Sequence, residues 1–185
     1  IEHYEKKCPW IWRCHVDLSR PEAETWKYLR RWIDKYDVTI VSCPEFKQEM
    51  KPPQRVFMPA INPFNIKNRK LDDKEIDERL AHYKIPTDLP LIVQISRFDP
   101  WKDPEGVVEA FKLARQQIEA TLVLLGNFAT DDPEGAKIFE SLRACQEEQV
   151  LISTKGDDTA LVNALQTRAA VVLQKSLREG FGLTV

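Results

Sequence analysis

Two stretches of the sequence gather groups that could hold a charged ligand. The first is Ser96-Arg97-Phe98-Asp99-Pro100-Trp101-Lys102, followed by Asp103-Pro104-Glu105. Its two cations stand five residues apart, just after an apolar run and just before a helix opened by Pro. At such a place backbone N–H groups and the helix dipole already favour an anion. A diphosphate suits the arrangement, because Arg can hold two phosphate oxygens at once while Lys acts as a mobile point charge. The same cations could instead be surface groups paired with Asp99, Asp103 or Glu105. The second stretch is Ser176-Leu177-Arg178-Glu179-Gly180-Phe181-Gly182-Leu183-Thr184-Val185. Two glycines around an aromatic let the backbone approach a ligand closely and turn amides toward it. Glu179 heads that turn, and a carboxylate is a bidentate acceptor for sugar hydroxyls. The alternative is an ordinary strand-to-helix turn with a solvated Glu.

Both stretches need a scaffold to position them, and the flanking pattern supplies one. Four short apolar runs, Leu91–Ser96, Thr121–Gly126, Val150–Thr154 and Ala170–Ser176, alternate with amphipathic helical stretches at about 104–118, 133–148 and 158–168. Strands that are almost wholly apolar, linked by helices, imply a parallel sheet covered on both faces. In a doubly wound α/β sheet of this kind ligands bind beyond the carboxyl ends of the strands. Both candidate stretches follow such ends. Asp131-Asp132-Pro133-Glu134 and Asp157-Asp158-Thr159 read as caps of the helices they precede, with a loop over a nucleotide as the alternative for the first.

The amino-terminal third is organised differently. Ser19-x-x-Glu22 has the form of a capping box with Pro21 in the first turn, and Trp26, Leu29, Ile33 and Tyr36 repeat at helical spacing, so a helix is expected over about 20–36. Two β-rich segments follow, Asp37–Cys43 and Gln54–Ala60, and then Ile61–Lys70, whose Asn62-Pro63 and Asn65 have the turn chemistry of a linker. A charged helix is expected at about 71–84. Residues 1–60 are therefore read as the end of one domain and 61–185 as the start of another.

Composition narrows the classes of function. Lys+Arg 27 against Asp+Glu 29 gives a net charge of -2, which argues against nucleic acid as a partner and makes any anion site local. No run nears the ~18 apolar residues of a membrane helix, and the amino terminus lacks a signal-peptide layout, so a soluble cytoplasmic protein is expected. Cys8, Cys14, Cys43 and Cys145 are irregularly spaced and read as free thiols, and no metal-ligand cluster is evident. Opening without Met and ending just after a motif, the chain is expected to be a piece of a longer protein. Homo-oligomerisation stays open.

SRFDPWK followed by REGFGLTV resembles the signature pair of retaining glycosyltransferase family 4, whose two-domain enzymes have the GT-B fold, α/β with two Rossmann-like parallel sheets. The resemblance implies that Arg97 and Lys102 bind the donor diphosphate. It implies that Glu179, the first of two glutamates spaced E-x7-E, works with Ser96, Gly180, Phe181, Gly182 and Leu183 to hold the donor sugar; the second glutamate would fall two positions past Val185. Trp12-Arg13-Cys14-His15-Val16-Asp17-Leu18-Ser19, Phe98-Asp99-Pro100-Trp101-Lys102 and Asp131-Asp132-Pro133-Glu134-Gly135 are together similar to the trehalose synthases that glycosylate glucose and to trehalose phosphorylases. By that likeness His15 stands at the end of an amino-domain strand and hydrogen-bonds the donor sugar, with Arg13 and Asp17 contacting acceptor or phosphate. For a lone His a satisfied structural hydrogen bond is the other possibility. The activity implied is transfer of glucose from a nucleoside diphosphate glucose (ADP- or UDP-glucose) to glucose, with no metal or cofactor required. A phosphorylase using glucose-1-phosphate, or a nucleotide-binding module without turnover, are the alternatives.

Overall fold

The computed structural model describes residues 4–127 and 133–183. These form two compact units, one running to Ala60 and including Arg178–Leu183, the other running Ile61–Leu177.

The first unit is built on a three-stranded parallel sheet in the order β1-β2-β3, with β1 at Ile11–Arg13, β2 at Val38–Val41 and β3 at Gln54–Val56. Helix α1, Ala23–Ile33, makes the crossover from β1 to β2. It starts later than the expected capping box. Glu22, not Ser19, is the cap: its carboxylate accepts from the N–H groups of Glu24 and Thr25 at 3.0 and 2.7 Å. Ser19 is otherwise engaged, its N–H donating to Asp17 Oδ1 at 2.7 Å. Strand β3 is shorter than the expected segment. Its pairing ends with the Phe57 N–H on the Val41 carbonyl, and Pro59, having no N–H, cannot prolong a ladder. Cys14, Leu18, Val41 and Phe46 form the small core, with Trp12 and Trp26 against it.

The second unit has a four-stranded sheet, all parallel, in the order β6-β5-β4-β7. The strands are β4 Leu91–Ile95, β5 Thr121–Leu125, β6 Val150–Ser153 and β7 Val171–Val172. The helices are α2 Asp73–His82, α3 Pro104–Ala114, α4 Pro133–Ala144 and α5 Thr159–Arg168. Alternation along the strands explains why both faces are covered. Leu91, Val93, Ile95, Val123 and Leu125 pack with α2 and α5, whereas Leu122 and Leu124 pack with Val107, Val108 and Phe111 of α3 and Leu142 of α4. The expected strand at 170–176 is only two residues by pairing, although the Ala170 and Leu173 N–H groups add bonds to the carbonyls of Leu91 and Val93. Beyond Leu173 the chain turns off the sheet, and Gln174 Nε2 donates to Ser176 Oγ at 2.9 Å. The expected Asp131-Asp132 cap lies outside the described residues, as do Thr184 and Val185. All four cysteines are free thiols.

Asp158 caps α5 through the N–H groups of Ala160 and Leu161, and its second oxygen accepts from the Tyr83 hydroxyl at 2.6 Å and from Arg79 Nη1 at 3.2 Å. Burial pushes this carboxyl up, but the Tyr83, Leu161 and Arg79 contacts outweigh it and hold it below the ordinary Asp value. A carboxyl depressed in the folded state stabilises the fold above its unfolded pKa, and that contribution is lost as pH falls through the lower folded value. Asp158→Asn is accordingly expected to be less stable than the parent at neutral pH. Urea titrations between about pH 5 and pH 2 should show the two stabilities converging.

Gly126 ends β5 where a Cβ would lie 2.1 Å from the Ser96 carbonyl oxygen. Backbone cannot give way as a side chain would. Gly126→Ala should therefore cost about 1–3 kcal/mol in chemical denaturation, by overpacking.

Candidate active site

Strand order reverses at β4, since β5 lies on one side of it and β7 on the other. In open parallel sheets ligands bind beyond the carboxyl ends of the strands, at such a reversal. The loop after β4 carries Ser96, Arg97 and Lys102, and the loop after β7 leads to Glu179.

The 96–103 loop is held from several directions. Its head is tied to β5 by the Ser96 N–H on the Leu125 carbonyl, and the Phe98 N–H donates to Asn127. The Phe98 ring is 2% exposed and stacks on Phe139 of α4 with centroids 5.6 Å apart, so the loop is anchored in the core between the two cations. Asp99 is buried and caps the short 3-10 turn Pro100–Lys102. One of its oxygens accepts from the Lys102 N–H at 3.2 Å and the other from Arg97 Nη2 at 3.1 Å. From inside the sheet, buried Gln94 donates to the Lys102 carbonyl at 2.8 Å. Arg97 is thus tethered at one nitrogen while its side chain stays 65% exposed, against 8% for Asp99.

One sequence expectation changes here. The amino-terminal end of α3 is capped from within, because Asp103, in the left-handed conformation at φ 46°, accepts from the Gly106 N–H at 3.2 Å. Asp103 also carries an ion pair with Lys175, and of the paired acids considered from sequence only Asp99 meets Arg97. Positive charge at this loop comes from its side chains more than from the helix end.

The loop after β7 is stitched to the loop after β4. The Leu177 N–H donates to the Trp101 carbonyl at 2.7 Å, in addition to the Lys175–Asp103 pair. Trp101 is 53% exposed, and its carbonyl accepts this bond. Lys175 and Gln94 were not singled out by type or spacing, and neither has a sequence signal that would find it.

Within the first unit the segment Arg178–Leu183 lies against the loop that follows β1. Glu179 is half-buried, and its Oε1 accepts from the Gly180 N–H at 3.0 Å. A Cβ at Gly180 would stand 2.0 Å from the His15 carbonyl oxygen, so only glycine permits this approach. Gly182 has a positive φ of 81°, and Phe181 and Leu183 are exposed. His15 is exposed, two residues past the end of β1. Its neighbours are committed elsewhere. Arg13 donates to the Phe57 carbonyl at 3.3 Å and stacks over the Phe57 ring. Asp17 accepts from the Ser19 N–H and from Arg178 Nε at 2.7 and 3.1 Å. Burial pushes the Asp17 carboxyl up, but the bonds from Ser19 and Arg178 outweigh it and leave it below the ordinary Asp range.

A cavity of about 330 Å³ beside α2 is lined by Arg69, Glu75, Arg79 and His82, but Arg69 is paired with Glu75 and Arg79 with Asp158. Among the described residues no three His, Cys, Asp or Glu side chains are grouped as a metal site requires, and no helix is long and apolar enough to cross a membrane.

Comparison with known proteins agrees with this architecture. Residues 1–48 match the model described as Trehalose synthase, N-terminal domain, and residues 75–185 match Glycosyl transferases group 1. The trehalose synthase of Thermococcus litoralis is 43% identical over the whole chain, which covers 47% of that protein, and that of Rubrobacter xylanophilus is 38% identical over 95% of the chain, covering 44%. A trehalose phosphorylase of Pleurotus pulmonarius is 23% identical over the whole chain and is covered over 31% of its length. The chain thus spans under half the length of the curated relatives it matches. Among solved structures, sucrose-phosphate synthase from Thermosynechococcus elongatus aligns with a TM-score of 0.72 at 19% identity, over 98% of this chain and 47% of that one. Anabaena HepE in complex with UDP and glucose aligns with a TM-score of 0.71 at 16% identity, over 96% of this chain and 49% of that one. These likenesses give the fold as GT-B, α/β with parallel sheets. With more than half of its residues matching that model, the chain belongs to the glycosyl transferases group 1 family.

Proposed function

We propose that the complete protein is a retaining glycosyltransferase that moves glucose from a nucleoside diphosphate glucose to glucose, forming trehalose, in the cytoplasm. In this reading residues 1–60 end the acceptor domain and 61–185 begin the donor domain. The observation that carries it is the 96–103 loop beside the strand-order reversal, with Arg97 and Lys102 on a backbone held by Asp99 and Gln94. The 43% identity to a trehalose synthase supports the acceptor and product. UDP is the nucleotide named with several solved neighbours, and ADP-glucose is the other candidate donor.

As the bond from the anomeric carbon to the leaving phosphate lengthens, negative charge grows on the diphosphate and positive charge on the sugar ring. Fixed cations on the phosphate side lower that barrier. Arg97 and Lys102 supply them, with Ser96 at the head of the loop. Glu179, with the backbone of Gly180, Phe181, Gly182 and Leu183, holds the glucose hydroxyls, and His15 adds a hydrogen bond to the donor sugar. Retention follows if the acceptor hydroxyl arrives on the face the phosphate leaves, the leaving oxygen taking its proton. Arg13 and Asp17, flanking His15, contact acceptor or phosphate, with Arg13 resting on Phe57 and Asp17 on Arg178.

A trehalose phosphorylase is the second reading, favoured by the likeness to the Pleurotus enzyme. Incubating the complete protein with glucose and, in turn, UDP-glucose, ADP-glucose and glucose-1-phosphate separates the two. Trehalose from a nucleotide sugar is the expected result, and trehalose from glucose-1-phosphate alone would replace the first reading by the second.

Arg97→Ala and Lys102→Ala should each weaken donor binding and turnover by about 10–100-fold, since a charge-assisted hydrogen bond contributes roughly 1.5–3 kcal/mol. Near-normal turnover with both changed, at saturating acceptor, would sink the diphosphate role.

A further inference from the structure

Arg178 stands immediately before Glu179, and its side chain makes contacts that neither motif spacing nor the proposed chemistry requires. Its Nε donates to Asp17 Oδ2 at 3.1 Å, its Nη2 donates to the Arg20 carbonyl at 3.1 Å, and the same Nη2 lies 3.5 Å from the Asp17 carbonyl. Three acceptors on one short loop are therefore gripped by one guanidinium. Asp17 is held in turn by the Ser19 N–H at 2.7 Å, through the oxygen that Arg178 Nε does not use. Two residues further on, Gly180 rests against the His15 carbonyl with no room for a methyl group. The turn bearing Glu179 is thus clamped at both ends to the loop bearing His15, by charge at Arg178 and by close backbone contact at Gly180.

We propose that Arg178 is a positioning residue: through Asp17 and the Arg20 carbonyl it sets the placement of the Glu179 turn against the His15 loop, and so the grip on the donor's sugar. The proposal rests on the glycosyltransferase reading above. It assigns Arg178 a task separate from that of Arg97 and Lys102, which hold the diphosphate. Loss of Arg178 should therefore spare binding of a nucleoside diphosphate and impair what depends on the sugar. A salt bridge that served only to hold the fold would lower stability and leave that distinction intact.

The test uses the complete protein with Arg178→Ala, Arg178→Lys and Asp17→Asn. Calorimetry with UDP and ADP, and with UDP-glucose and ADP-glucose, gives the preference for the sugar-bearing form, and trehalose formation gives kcat. Arg178→Ala should bind the free nucleotide as the parent does, lose the preference for the sugar-bearing form, and fall in kcat by about 10²-fold, the scale of a misplacement near 1 Å. Arg178→Lys, which keeps a charge but not the fork, should recover part of kcat. A folded Arg178→Ala protein with the parent's kcat and preference overturns the proposal, as does equal loss of nucleotide and nucleotide-sugar binding. Should Arg178→Ala not fold, Asp17→Asn decides by the same readouts, and an unchanged kcat there overturns it. A parent protein that binds no nucleotide and forms no trehalose overturns the function reading and this inference together, an outcome distinct from an active parent matched by its variants.

Discussion

The reversal of strand order at β4 is the constraint on which the loops after β4 and β7 depend. Were β7 to continue beyond β6, the loops after β4 and β7 would leave the sheet far apart. Instead β4 pairs with both β5 and β7, and the two loops leave neighbouring strand ends. Their closeness allows the Leu177 N–H to reach the Trp101 carbonyl and Lys175 to reach Asp103.

Charge at the 96–103 loop is arranged by burial as much as by residue type. Asp99 is withdrawn into the protein while Arg97 remains open to solvent, so the carboxylate fixes one edge of the guanidinium and leaves the rest facing outward. Part of the entropy of ordering a long cation is thereby met before any ligand arrives. The end of α3, by contrast, is occupied by Asp103, which places a negative group where a bare helix end would have attracted an anion. An anion drawn to this loop would be held by side-chain cations, whose reach depends on the backbone that Gln94 and Asp99 stabilise.

In the first unit the same logic runs through a different acid. Asp17 lies in the phrase that resembles the amino-terminal motif of the trehalose-forming branch, and its carboxylate is spent on Ser19 and Arg178. Arg13 is spent on Phe57. Both residues hold their contacts on either side of His15. Glycine completes the arrangement at Gly180, where close backbone packing substitutes for side-chain contact.

Local pattern determined a great deal. The apolar runs of β4, β5 and β6 and the amphipathic helices between them were legible because burial on both faces demands continuous apolar residues in strands and a single apolar stripe in helices. Arg97, Lys102 and Glu179 were legible as candidates because strand ends and glycine turns leave a mark on neighbouring residues. The start of α1 was misread because Ser19 and Glu22 satisfy the spacing of a capping box, yet Asp17 had already taken the Ser19 N–H. Which acid pairs with Arg97, whether Asp103 closes the end of α3, and the grip of Arg178 on Asp17 across 161 positions were decided only by the tertiary structure. Such contacts depend on where the folded backbone brings side chains that are remote along the chain, and no periodicity or spacing encodes that meeting.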